Sequence, residues 1–102
     1  MNEAFIGMNI GVLKFSLRLP ENQSLKGKRQ IVKSVIAQLI NRYRVSAAEV
    51  EDNDLWQIAT IAVVLVSNDK RHTNEVLTKS LALARDNSDA ELTESSLEII
   101  DY

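Results

Sequence analysis

The hydrophobic period of this chain switches from the strand value to the helix value and back, twice, and that order restricts the fold more than any other feature. From Ile10 to Leu19 the chain alternates: Leu13, Phe15, Leu17 and Leu19 point one way, and Lys14, Ser16 and Arg18 the other. Alternation of this kind marks a half-buried strand. Pro20 closes it, and Glu21–Gln23 form a loop.

Ser24 is a good N-cap for a long helix running to about Arg44. On a helical projection Leu25, Val32, Val35, Ile36, Leu39 and Tyr43 share one arc, Lys26, Arg29, Lys33 and Arg44 line one flank, and Gln30, Ser34, Gln38 and Asn41 form an uncharged back. Gly27 weakens the first turn. Lys28 falls inside the apolar arc, and a lysine so close to a helix end is expected to snorkel to solvent.

Val45–Val50 reads as a short strand, and Glu51-Asp52-Asn53-Asp54 as an acidic turn. Trp56–Val66 is rich in β-branched residues and apolar on both faces, the pattern of a central strand. Ser67-Asn68-Asp69 caps a second helix from about Lys70 to Arg85, whose inner stripe is Val76, Leu77, Ser80, Leu83 and Ala84. Ala90–Asp101 is a last strand, with an alternation that breaks around Glu94–Ser96 in the manner of a bulge.

The order βαββαβ predicts an α+β, ferredoxin-like sandwich: a four-stranded antiparallel sheet, order 4-1-3-2, with two helices on one face. Residues 1–7 are expected to be a flexible N-terminal extension, and 8–102 a single domain. Leu13, Phe15, Leu17, Val32, Val35, Ile36, Leu39 and Leu77 are the expected core. The two-sided apolar pattern of Ile58–Val66, with Ile10 and Val12, exceeds what one helix layer covers. An exposed apolar sheet face usually marks an interface, so self-association through that face is expected.

Composition narrows the chemistry. At 45% hydrophobic and 25% charged the chain has ordinary globular proportions. With no cysteine it has no disulfide, thiolate metal site or cysteine nucleophile, and its single histidine excludes a histidine-rich metal centre. No run is long enough to span a bilayer, and the N-terminus lacks a signal-peptide pattern. Phosphate-loop, dinucleotide, nucleophile-elbow and zinc-protease motifs are missing, so the expectation is no enzyme, no catalytic residue, no metal, no cofactor and a cytoplasmic setting.

Charge is divided along the chain. Residues 1–44 carry eight basic residues against two acidic, and residues 45–102 carry four basic against twelve acidic. Such a split either neutralises itself on folding or presents a basic face to a polyanion. At one end of the expected sheet, Lys26, Lys28 and Arg29 would lie near Glu51, Asp52 and Asp54; they oppose the helix dipole, so either the acidic turn or a bound phosphate answers them. At the other end Arg42, Arg44, Lys70, Arg71 and His72 gather, with Asp69 the one nearby acid, making this the better anion-site candidate. His72, at the edge of the apolar stripe, reads as a structural residue rather than a general base.

The stretches MNIGVLKFSLRLPENQSLKGKRQIVKS, NRYRVSAAEVEDNDLWQIATIAVVLVSND and KRHTNEVL resemble the YlxP-like family of small bacterial proteins of unknown function. Gly27 departs from that family's more frequent acidic residue, and the last strand matches loosely. The resemblance implies a ferredoxin-like domain. It also implies a ribosome or RNA setting, because members are typically encoded beside translation-initiation and ribosome-maturation genes. It supplies no catalytic residue.

Two functions follow as expectations. One is a non-enzymatic RNA- or ribosome-associated accessory protein, gripping phosphates through Arg42, Arg44, Lys70, Arg71 and His72, with Lys26, Lys28, Arg29 and Lys33 contributing. No aromatic platform is expected beside these cations, so base readout should be weak. The other is a homodimeric protein-interaction or small-ligand-binding module using the sheet face.

Overall fold

A computed structural model describes residues 7–102; most of the expected N-terminal extension lies outside them. The elements are β1 (Asn9–Arg18), α1 (Leu25–Tyr43), β2 (Ser46–Glu51), β3 (Ile58–Ser67), α2 (Lys70–Arg85) and β4 (Glu91–Asp101). They form a four-stranded sheet in the order β2-β3-β1-β4, every pair antiparallel, which is the expected ferredoxin-like plan.

The centre is β1. It pairs along its length with β3, from Asn9↔Ser67 to Arg18↔Ile58, and with β4, from Asn9↔Asp101 to Arg18↔Glu91. Its Leu13, Phe15 and Leu17 are buried toward the helices with Ala59, Ile61 and Val63 of β3. From α1 come Val32, Val35 and Leu39, and from α2 Val76, Leu77 and Ala84. Ile36, expected in this core, is only partly buried at its margin. Gly11 lets α2 approach: a Cβ there would overlap Thr73 Cγ2 and stand 2.9 Å from Leu77 Cδ1.

The caps form where expected. Ser24 accepts from the Gly27 N–H at 2.9 Å, and Asp69 accepts from the N–H groups of Arg71 and His72. The Asp69 carboxylate thereby offsets part of the cost of opening α2 with two cations. Boundaries shift slightly. Trp56 lies in the β2–β3 turn rather than in β3, and the bulge against β1 falls at Thr93, just before the stretch expected.

The sheet face without helices is graded. Val66, Ile10 and Ile100 make its first row, Val64, Val12 and Glu98 the next, then Ala62, Lys14 and Ser96, and finally Thr60, Ser16 and Glu94. One end is therefore apolar and the other polar.

Candidate nucleic-acid interface

The two ends of the sheet treat their cations differently. At the β2–β3 turn Lys28 does not snorkel. Its side chain is fully buried, with Nζ 2.9 Å from Glu49 Oε2, and it donates to the Asp52 carbonyl. The contact with Glu49 is one of charge, since no aligned hydrogen bond reaches that Oε2 among the described residues. Lys28 therefore offers nothing to a polyanion: β2 sets a carboxylate against the first turn of α1, and the helix position inside the apolar arc is filled by an ion pair. Glu51, expected beside the same cations, instead pairs with Lys14 on the opposite sheet face at 2.5 Å. That hydrogen bond and the charge of Glu51 raise the Lys14 pKa. Lys28 is thereby removed from the phosphate reading of this end, which is left to the exposed Lys26 and Arg29.

Asp52 joins the two faces. Its backbone is left-handed, with φ 62°. Its carbonyl faces Lys28, while its carboxylate accepts from Thr60 Oγ1 at 2.9 Å on the open face. Ser16 Oγ lies 2.9 Å from the same Thr60 oxygen, so the polar groups here satisfy one another. Beyond them the β1–α1 loop is tied to the turn: Asn22 donates to the carbonyls of Ser24 and Trp56, and Gln57 to those of Pro20 and Asn22. Gly27 leaves room for this arrangement, since a Cβ there would collide with Asn22 Oδ1.

The opposite end is open. β2 pairs with β3 only as far as Ser46↔Val64, so Leu65 and Val66 continue without a β2 partner. The chain leaving α1 passes beside this bare edge. Between them lies a groove of about 520 Å³ lined by Arg42, Tyr43, Arg44, Leu65, Val66, His72, Glu75, Val76 and Lys79. Leu65 and Val76 are its more buried, apolar lining, and Arg42, Arg44 and His72 are exposed around them. Glu75 is committed to Lys79 at 2.8 Å; this bond and its charge lower the Glu75 pKa and raise that of Lys79, with Tyr43 acting on Lys79 in the same direction.

Among the described residues Arg42, Arg44, Arg71 and His72 make no ion pair. Arg42 in the last turn of α1 suits the helix dipole. Arg44 is the C-cap, in the left-handed region at φ 54°, ψ 41°, with its N–H bonded to the Ile40 carbonyl. Glycine is the usual residue in that geometry, and a side chain there costs roughly 1–2 kcal/mol. A guanidinium is thus held at the groove against the backbone's preference.

The nine residues expected to form the interface do not act as one set. Arg42, Arg44 and His72 line the groove. Lys70 and Arg71 lie outside its lining, in the first turn of α2, and Lys70 pairs with Asp101 at 2.7 Å, a second acid beside Asp69. Lys26, Arg29 and Lys33 are exposed along α1 and make no ion pair among the described residues, and Lys28 is buried. His72 is exposed rather than packed. Tyr43 is the addition: its place on the apolar arc reads as core, but the ring is partly buried and shared between core and groove. Its position in the last helical turn, flanked by two arginines, is the signal for that double role.

Comparison with known proteins accords with this fold. The chain is 32% identical over 59 residues to the uncharacterized protein YlxP of Bacillus subtilis (strain 168). That alignment covers 58% of this chain and 64% of the other, just under two thirds of the relative's length. A de novo designed protein, Foldit4, superposes with a TM-score of 0.55 at 12% identity, over 92% of this chain and 98% of its own. A dimeric protein of unknown function and ferredoxin-like fold from Bacteroides fragilis NCTC 9343 gives a TM-score of 0.52 at 9% identity, over 94% and 97% of the two chains. At such identities the likeness is one of fold. No helix among the described residues is long and apolar enough to cross a membrane. Residues 10–97 match the DUF503 family, described as a protein of unknown function, and the chain belongs to that family.

Proposed function

We propose that this is a non-enzymatic, RNA- or ribosome-associated accessory protein of the cytoplasm that grips phosphates at the corner where α1 ends and α2 begins. One observation carries the reading. Arg42, Arg44 and His72 converge on a single groove, none with an ion partner among the described residues, and Arg44 sits in a backbone geometry that favours glycine. Arginine is suited to phosphate because its planar fork donates to two oxygens at once. Lys70 and Arg71 extend the cationic surface, and the exposed pair of Lys70 with Asp101, worth roughly 0–1 kcal/mol, yields readily to a phosphate. The resemblance to a family encoded beside translation genes supports the ribosomal setting.

Arg44→Gly tests this with little risk to folding, because glycine relieves the left-handed cap. The variant should melt at or above the wild-type temperature yet bind ribosomes and single-stranded RNA more weakly at low salt. The slope of log K against log salt should flatten by about 0.7 for each phosphate that is no longer neutralised. Unchanged binding in Arg44→Gly and in Arg71→Ala leaves the corner as solvated surface.

A second reading, a homodimer closed through the open sheet face, is favoured by Val66 and Ile100, which remain 62% and 40% exposed at its apolar end. Sedimentation at micromolar concentration distinguishes it: a monomer removes the reading.

A further inference from the structure

The corner groove is built for more than phosphate. A site that holds only a phosphate backbone needs cations on a convex or shallow surface; it gains nothing from an apolar floor. Here Leu65, Val76 and Tyr43, all partly or fully buried, give the groove an apolar and aromatic lining, and the exposed Arg42, Arg44 and His72 surround it; Val66 borders it from the strand edge with its side chain on the open face. We infer that the groove takes one unpaired nucleotide of an RNA strand, its base against Tyr43 and Leu65 and its phosphates on Arg42 and Arg44. The inference rests on the RNA-binding reading above and names the class of RNA that reading leaves open.

Three features lead to it. The first is size: about 520 Å³ falls within the range of small-ligand sites, roughly 300–1,000 Å³, and accepts a single nucleotide rather than the width of a duplex. The second is chemistry. A nucleotide is flat and apolar on its base and rich in acceptors on its phosphate, and the groove is apolar with an aromatic wall at its base and cationic at its mouth. Among the described residues the one acid in the lining, Glu75, is paired with Lys79 at 2.8 Å, which offsets its charge. The third is the origin of the groove. It exists because β2 stops pairing at Val64, which leaves the β3 edge at Leu65 and Val66 available beside the base. Paired A-form RNA buries its bases in a narrow major groove that side chains do not enter, so only an unpaired nucleotide reaches Tyr43.

The test uses three probes on the full chain at low salt: a labelled single-stranded oligouridylate, an RNA duplex of equal charge, and inorganic polyphosphate, which has the charge and no base. The wild type should prefer the single strand to both others. Stacking on one aromatic is worth about 1–3 kcal/mol, so Tyr43→Leu should weaken the single strand roughly five- to 150-fold and leave polyphosphate unchanged. Tyr43→Phe should retain the single strand. Because Tyr43 also touches the core, the melting temperatures of Tyr43→Leu and Tyr43→Phe are measured beside binding, and unchanged polyphosphate affinity shows that the corner is intact. Equal affinity for all three probes, or no loss in Tyr43→Leu while Arg44→Gly weakens every probe, overturns the nucleotide site and leaves phosphate binding standing. Failure of every probe to bind overturns both.

Discussion

Replacing Glu49 by alanine strands a lysine. The Lys28 side chain has no exposure, and Glu49 retains 14%; without the carboxylate the ammonium keeps only the carbonyl of Asp52. Breaking a buried pair by removing one partner costs about 3–5 kcal/mol, because the surviving charge has neither water nor partner. Partial exposure of Glu49 points to the lower end. The first-turn position of Lys28 adds to the need for an anion, since the dipole of α1 already disfavours a cation there by roughly 0.3–1 kcal/mol. A domain of this size has about 5–15 kcal/mol in all, so Glu49→Ala should remove a large share of it. At about 4–8 °C per kcal/mol, a loss of about 3 kcal/mol lowers the melting temperature by roughly 12–24 °C. Urea unfolding followed by circular dichroism measures the loss directly. Lys28→Met should cost less, because the remaining carboxylate is partly hydrated, and the double variant Lys28→Met with Glu49→Leu should recover most of the stability. A loss below about 1 kcal/mol in Glu49→Ala would refute the reasoning, since that is the value of a pair in water.

Gly11→Ala should destabilise by about 1–3 kcal/mol in the same assay, because the added methyl pushes Thr73 and Leu77 away from β1; a neutral result would mean that α2 does not lie so close. The Glu75 carboxyl should titrate by NMR below the usual glutamate value, and Lys79→Met should restore it. Since that pKa is lowered on folding, the pair stabilises above the unfolded glutamate value and its contribution disappears as pH falls through the lowered one. Stability gained on acidification through that range would contradict the assignment.

A feature of this molecule is legible in the sequence when its signal is local. Ser24 and Asp69 cap the helices by bonding residues two or three positions ahead, and the alternation of β1 reports its own two faces; both are readable. So is the sheet order, because right-handed crossovers leave few alternatives for six elements. Lys28 is not. Helical periodicity places it on the inner arc, but its partner arrives from β2, and periodicity within one element carries no information about another. The same holds at the corner. Arg42 and Arg44 are recognisable as a basic cluster, whereas the groove beside them depends on where β2 stops pairing with β3. Tyr43 reads as core because its angle is correct for core; its second surface exists only once that edge is bare.

The central position of β1 also shapes how the chain acquires its structure. Both neighbours of β1 come from far along the sequence, and its pairing with β4 spans Asn9↔Asp101 to Arg18↔Glu91. Ladders that close such long loops require a large loss of chain entropy before any contact compensates it, and they slow folding. At synthesis rates of about 5–20 residues per second, β1 leaves the ribosome several seconds before β4 exists. During that interval β1 can use β3 on one side only, and its other edge is bare. Completion of the sheet is therefore the last event in the birth of the domain, and substitutions in β4 that weaken pairing should prolong the aggregation-prone interval more than they alter the finished fold.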